Sequence, residues 1–98
     1  MIILEKYQQQ INGICRKYQV RSLRIFGSAL TEDFSDSSDI DFLIELDGAG
    51  GGIKRYMNVK FELEDLFARR VDLVMPKAIR NNRIREYIFA NIRTVYAA

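Results

Sequence analysis

Residues Ile40 to Leu46 alternate strictly, with Ile40, Phe42, Ile44 and Leu46 on one side and Asp39, Asp41, Leu43 and Glu45 on the other. A period of two predicts a β-strand with one apolar face. It also places the Asp39 and Asp41 side chains on a common face, with their Cα atoms roughly 6–7 Å apart by the strand rise. Twelve residues before Asp39, the apolar run Leu23–Phe26 stops at Gly27-Ser28. A short strand, a glycine–serine bend and a polar stretch therefore lead into a strand that opens on two carboxylates. Two carboxylates so spaced can reach one divalent cation, and backbone N–H groups at the bend can face a phosphate. The stretch reads as a site that brings a nucleoside triphosphate and Mg²⁺ together.

The remaining pattern predicts what holds this stretch. Ile3, Leu4, Tyr7, Ile11, Ile14, Cys15 and Tyr18 fall at helical spacing and predict a helix over residues 3–18. Residues 29–38 read as a helical turn or two followed by loop, anchored by Leu30 and Phe34. Asp47–Gly52 reads as a flexible connection, since it lacks the Gly-Lys-Ser/Thr ending of a Walker loop. A second helix is predicted over residues 53–70, with Tyr56, Val59, Leu63, Leu66 and Phe67 inward. A third strand spans Val71–Met75 and stops at Pro76. A last helix is predicted over residues 80–91 with Ile84, Tyr87 and Ile88 inward, followed by a short extended tail over residues 92–98. The link between the first two strands is too short for a parallel crossover helix. The expected fold is thus α/β (α+β), a small mixed sheet of about three strands with helices packed against it.

Composition narrows the function. Ninety-eight residues are expected to form one domain, 1–98. A formal charge of +2 is too small to announce a nucleic-acid or membrane-surface binder. No histidine is present, which removes histidine-based triads and the H-E-x-x-H zinc motif. The one cysteine, Cys15, lies on the apolar helix face and is expected to be a buried thiol. No secretory leader or long apolar span is visible, so the cytosol is the expected compartment.

A third carboxylate, Asp72, lies one residue into the predicted strand Val71–Met75, where burial is costly unless a cation meets it. If that strand lies beside Ile40–Leu46, Asp39, Asp41 and Asp72 gather into an oxygen-rich set suited to Mg²⁺ or Mn²⁺. A D-x-D pair alone is usually a solvated strand edge and Gly-Ser alone an ordinary turn. Their joint spacing, with a third strand aspartate, favours a functional set.

Gly27-Ser28, ten residues, Asp39-x-Asp41 and the later Asp72 together resemble the nucleotidyltransferase (DNA polymerase β-like) superfamily, and the small size resembles its minimal nucleotidyltransferases. The resemblance covers nearly the whole chain. It implies Asp39, Asp41 and Asp72 as catalytic, metal-binding carboxylates, and Gly27, Ser28 and Ser38 as nucleotide-binding residues. It further implies Mg²⁺-dependent transfer of AMP from ATP, with release of pyrophosphate. Small prokaryotic members often resemble the antitoxin of a toxin–antitoxin pair whose partner is a helical HEPN-domain ribonuclease. AMP placed on a tyrosine of that partner would silence it. Many relatives continue as Gly-Ser-x-Ala-Arg-Gly, whereas this chain has Ala29-Leu30-Thr31-Glu32 and no cation there. Lys54, Arg55 and Lys60 on the following helix could compensate, although their spacing reads first as a solvated helix face. Two alternatives follow: a catalytically weak or inactive relative that neutralises its partner by binding, and nucleotidyl transfer to a small molecule.

Overall fold

The computed structural model describes residues 1–48 and 50–98; Ala49, in the glycine-rich connection, lies outside the described residues. A short 3₁₀ turn, Leu4–Tyr7, leads into α1 (Gln8–Lys17), followed by β1 (Val20–Phe26) and a second 3₁₀ turn, Gly27–Leu30. Then come β2 (Ile40–Leu46), α2 (Gly52–Phe67), β3 (Val71–Val74), a 3₁₀ turn Pro76–Ala78, α3 (Asn82–Ala90) and β4 (Ile92–Ala97). The sheet order is β3-β2-β1-β4. β1 pairs antiparallel with both β2 and β4, while β2 and β3 run parallel. The sheet is mixed, as the short β1–β2 link requires, and α2 makes the parallel crossover.

The expected tail is a fourth strand, which the sequence pattern alone did not separate from coil. Ile92–Ala97 shows weak alternation, and pairing with β1 is what makes it a strand. The first helix is broken: Leu4–Tyr7 is 3₁₀ and Ile3, expected inward, is exposed. Ile3 is extended (φ −97°, ψ 90°), so it precedes the helical periodicity instead of sharing it. Asn81 caps α3 by accepting hydrogen bonds from the N–H groups of Arg83 and Ile84.

The main core lies between one sheet face and the helices α1 and α2. Ile11, Ile14 and Cys15 of α1 and Val59, Leu63 and Phe67 of α2 bury against Leu23, Ile25, Ile40, Phe42, Ile44, Val71 and Leu73. Leu30 and Phe34 pack against this core, anchoring the loop after β1. On the opposite face Phe26 and Leu43 meet Ile79 and Ile88 in a smaller cluster. The sheet is therefore covered fully on one side and partly on the other.

Polar side chains close both sheet edges. On β3 the Val71 N–H donates to Glu64 Oε2 at 3.0 Å, and the Tyr56 hydroxyl donates to the Leu73 carbonyl. On β4 the Gln8 Nε2 donates to the Val95 carbonyl at 2.8 Å. An edge so capped offers fewer free groups to a passing strand. Arg55 donates to the carbonyls of Tyr18, Gln19 and Asp47, holding the end of the β1–β2 pair around Gln19, whose φ is +55°.

Cys15 has no exposed surface, and burial pushes its thiol up to about 12. The thiol is therefore inert in the folded chain. At pH 8 a thiol-alkylating reagent is expected to label Cys15 only as fast as the chain opens, with labelling accelerated steeply by denaturant. Rapid stoichiometric labelling of the native protein would contradict this burial.

Candidate nucleotide and metal site

The site grows from register. In the parallel β2–β3 ladder Asp41 is the partner of Asp72, and in the antiparallel β1–β2 ladder Asp41 is the partner of Phe26. Directly paired residues point to the same face, so Asp72, Asp41, Phe26 and, through β4, Ile92 form one row across the sheet. This row lies on the face away from α1 and α2. Asp39 precedes β2 by one residue and is exposed, as is Asp72, while Asp41 is half-buried. The three carboxylates predicted to act together thus lie at one end of one face. Neighbouring strands put the Asp41 and Asp72 backbones roughly 4.8 Å apart.

The electrostatics agree with this placement. Burial, then the Asp72 charge, then the Asp39 charge push the Asp41 carboxyl from 3.8 up to about 6. Among the described residues no three potential ligands already converge into a cluster tight enough to chelate one ion. Like charges without a counter-charge repel and splay. The donor set itself, carboxylate oxygens on two adjacent strands, fits a hard cation such as Mg²⁺, and such a cation would relieve the repulsion.

Gly27 lies against this set. Its φ is +79°, and a Cβ built there would fall 2.7 Å from Asp41 Oδ2 and 3.4 Å from the Tyr87 hydroxyl. Both backbone conformation and space demand glycine. The bend is a single 3₁₀ turn, Gly27–Leu30, the shorter form of the helical turn or two read from the sequence. In such a turn the first N–H groups have no partner within the turn itself. Ser28 is half-buried, and its carbonyl accepts from the N–H and the hydroxyl of Thr31, which stiffens the bend.

Ser38 is placed differently from the other expected nucleotide ligands. Its hydroxyl accepts from the Ser35 N–H at 3.0 Å and lies 3.2 Å from the Ser35 hydroxyl, so it braces the loop before Asp39. Arg69 clasps the same loop, donating to the carbonyls of Ser35 and Ser38 at 2.8 Å each and stacking on Phe34 at 4.3 Å. Sequence reasoning missed Arg69, because its partners lie more than thirty positions away. Arg55, one of the three cations that could compensate, instead donates to the backbone carbonyls of Tyr18, Gln19 and Asp47. Lys54 and Lys60 belong to the same helix, whose buried stripe packs on the other face of the sheet.

The other correction concerns α3. Ile88 is buried as expected, but Ile84 and Tyr87 are not: Tyr87 is 60% exposed. Helical spacing gave their common side but not how far α3 overhangs the sheet. Only the end near Phe26 and Leu43 is covered, and Tyr87 projects beside Gly27 instead of into the core.

A mixed four-stranded sheet that sets paired aspartates against a glycine–serine bend is the arrangement of a nucleotidyltransferase. The domain family described as Polymerase beta, Nucleotidyltransferase matches residues 9–98, and the chain belongs to that family. It is 35% identical over 86 residues to a Methanocaldococcus jannaschii protein provisionally named a protein adenylyltransferase, spanning 88% of this chain and 84% of the relative. Its fold is similar to that of a solved structure provisionally described as a minimal nucleotidyltransferase. The TM-score is 0.73 at 25% identity, over 92% of this chain and 90% of the other. It is also similar in fold to a structure of a tri-AMPylated Shewanella oneidensis HEPN toxin in complex with MNT antitoxin. There the TM-score is 0.66 at 14% identity, over 98% of this chain and 74% of the other. No helix among the described residues is long and apolar enough to cross a membrane.

Two expectations follow from this geometry. Gly27→Ala combines a left-handed backbone with a 2.7 Å approach to Asp41. It should destabilise the fold by about 1–3 kcal/mol and displace the carboxylate, both readable by denaturant melts and nucleotide binding; a wild-type melt would refute it. The second concerns Asp41 in the presence of a chelator. Its folded pKa is raised, so the stability it contributes is full below 3.8 and is lost as pH rises through about 6. Asp41→Asn should therefore melt higher than wild type near pH 7.5, with the two curves converging toward pH 4. Equal or lower melting of the variant near pH 7.5 would show that Asp41 is not frustrated.

Proposed function

We propose that this chain, acting as one minimal nucleotidyltransferase domain over residues 1–98, transfers AMP from ATP to a hydroxyl of a partner protein. The partner is a HEPN-domain toxin, its acceptor a tyrosine, and the chain is the antitoxin of the pair. The reading is carried by one observation: Asp41 and Asp72 stand in register on adjacent strands, with Gly27 against Asp41. The name of the Methanocaldococcus jannaschii relative and the AMP-bearing toxin in the Shewanella oneidensis complex support the substrate and partner.

In this mechanism the Gly27–Ser28 bend turns its backbone N–H groups toward the β- and γ-phosphates. Only glycine leaves room there beside the carboxylate. Asp39, Asp41 and Asp72 would hold Mg²⁺, which when bound neutralises charge building on the phosphates and orients them. The acceptor oxygen forms a bond to the α-phosphorus as the bond from that phosphorus to pyrophosphate breaks. Asp72, exposed at the open end of β3, accepts or relays the proton released by the hydroxyl. Arg69, by clasping residues 35 and 38, holds the loop that delivers Asp39.

The direct test is to incubate the chain with ATP, Mg²⁺ and a HEPN-domain protein encoded beside it, then weigh the partner by mass spectrometry. AMP-sized mass steps are expected, and they should vanish with Asp39→Asn plus Asp41→Asn. An unmodified partner, or modification indifferent to those substitutions, would reject the catalytic reading. If the double variant nevertheless protects cells while wild type modifies nothing, neutralisation by binding alone is the better account.

A further inference from the structure

The bend after β1 brings no cation to the phosphates it is proposed to hold. Ala29 is buried in the main core, Thr31 is tied to the Ser28 carbonyl, and Glu32 is exposed and acidic. Three carboxylates stand nearby, so an entering triphosphate meets mostly negative charge. Beyond the backbone N–H groups of the bend, a side-chain donor must come from elsewhere.

That something is on α3. Tyr87 projects its hydroxyl to within 3.4 Å of the point where a Gly27 Cβ would stand, and Asp41 Oδ2 lies 2.7 Å from the same point. Gly27, Asp41 and Tyr87 therefore border one small space. The ring is 60% exposed, so it is not there for packing; its neighbour Ile88, at 2%, does that work. A packed tyrosine buries its ring and pairs its hydroxyl. Tyr87 does neither: its hydroxyl makes no hydrogen bond among the described residues, not even to Asp41. The segment that carries it is basic. Lys77, Arg80, Arg83 and Arg85 are all exposed with Glu86 as the one acid, and none of the four is in an ion pair among the described residues. Arg83 lies one turn before Tyr87 and so shares its side of the helix.

We propose that Tyr87 is a nucleotide-binding residue whose hydroxyl donates a hydrogen bond to the triphosphate at the Gly27–Ser28 bend, in a field made positive by the arginines of α3. This rests on the nucleotidyl-transfer reading above and adds to it the donor that the Ala29–Glu32 sequence lacks. A phenol suits the position because it donates a proton without adding charge beside Asp41. It would also sharpen specificity: a nucleoside monophosphate has no β- or γ-phosphate for the hydroxyl to reach.

The test is equilibrium binding of Mg·ATP and of AMP to wild type, Tyr87→Phe and Asp39→Asn plus Asp41→Asn. Loss of one hydrogen bond to a charged acceptor should weaken Mg·ATP binding to Tyr87→Phe about tenfold. Its AMP affinity should stay within about twofold of wild type, and its melting temperature should be unchanged, because the hydroxyl makes no bond within the fold. In the transfer assay KM for ATP should rise more than kcat falls. Wild-type ATP affinity in Tyr87→Phe, or equal losses for ATP and AMP, would overturn the role given to Tyr87 while leaving nucleotidyl transfer standing. A wild-type chain that binds no ATP, or binds it independently of Asp39 and Asp41, would remove the transfer reading and this inference with it.

Discussion

Repulsion among carboxylates placed on one sheet face is the constraint around which this small protein is arranged. The parallel ladder sets Asp72 beside Asp41, and among the described residues no basic side chain is bonded to either. Burial first, and then the Asp72 and Asp39 charges, hold the Asp41 carboxyl above its usual range. A fold of this size has little surplus stability with which to carry such a cluster. What allows it is the division of labour between the faces. The side carrying α1 and α2 buries a continuous apolar layer, and the side carrying the aspartates is only half covered.

That division explains features that would otherwise look unrelated. The loop from Thr31 to Asp39 is long and polar, yet it is pinned at Phe34 by the core and at Ser35 and Ser38 by Arg69. Asp39 is thereby delivered to β2 by a stiffened segment. Gly27 makes the complementary concession, giving up a side chain so that Asp41 can approach the bend. Arg55 and Gln19 secure the other end of the β1–β2 pair, distant from the chemistry.

The partial cover on the aspartate side leaves that face of the sheet open beside the site. α3 covers only part of that side, anchored through Ile88, and leaves Tyr87 and Ile84 facing outward. In the proposed reaction this is the side that faces the nucleotide and the partner.

Much of this was legible without coordinates. The alternation of Ile40–Leu46 correctly assigned both faces of β2, because a strand's period of two leaves no freedom once one side is apolar. The glycine–serine bend and the three aspartates could be named from spacing, and the mixed sheet followed from a connection too short to cross over. Local pattern could not decide the rest. Whether β3 would lie beside β2, and in which register, is a choice among pairings of similar local energy, settled by the packing of α2. The fourth strand exists because β1 offers it a ladder. The orientation of Tyr87 depends on how far α3 reaches across the sheet. Periodicity can say which side chains share a face, since that follows from backbone geometry; only the assembled chain can say what that face meets.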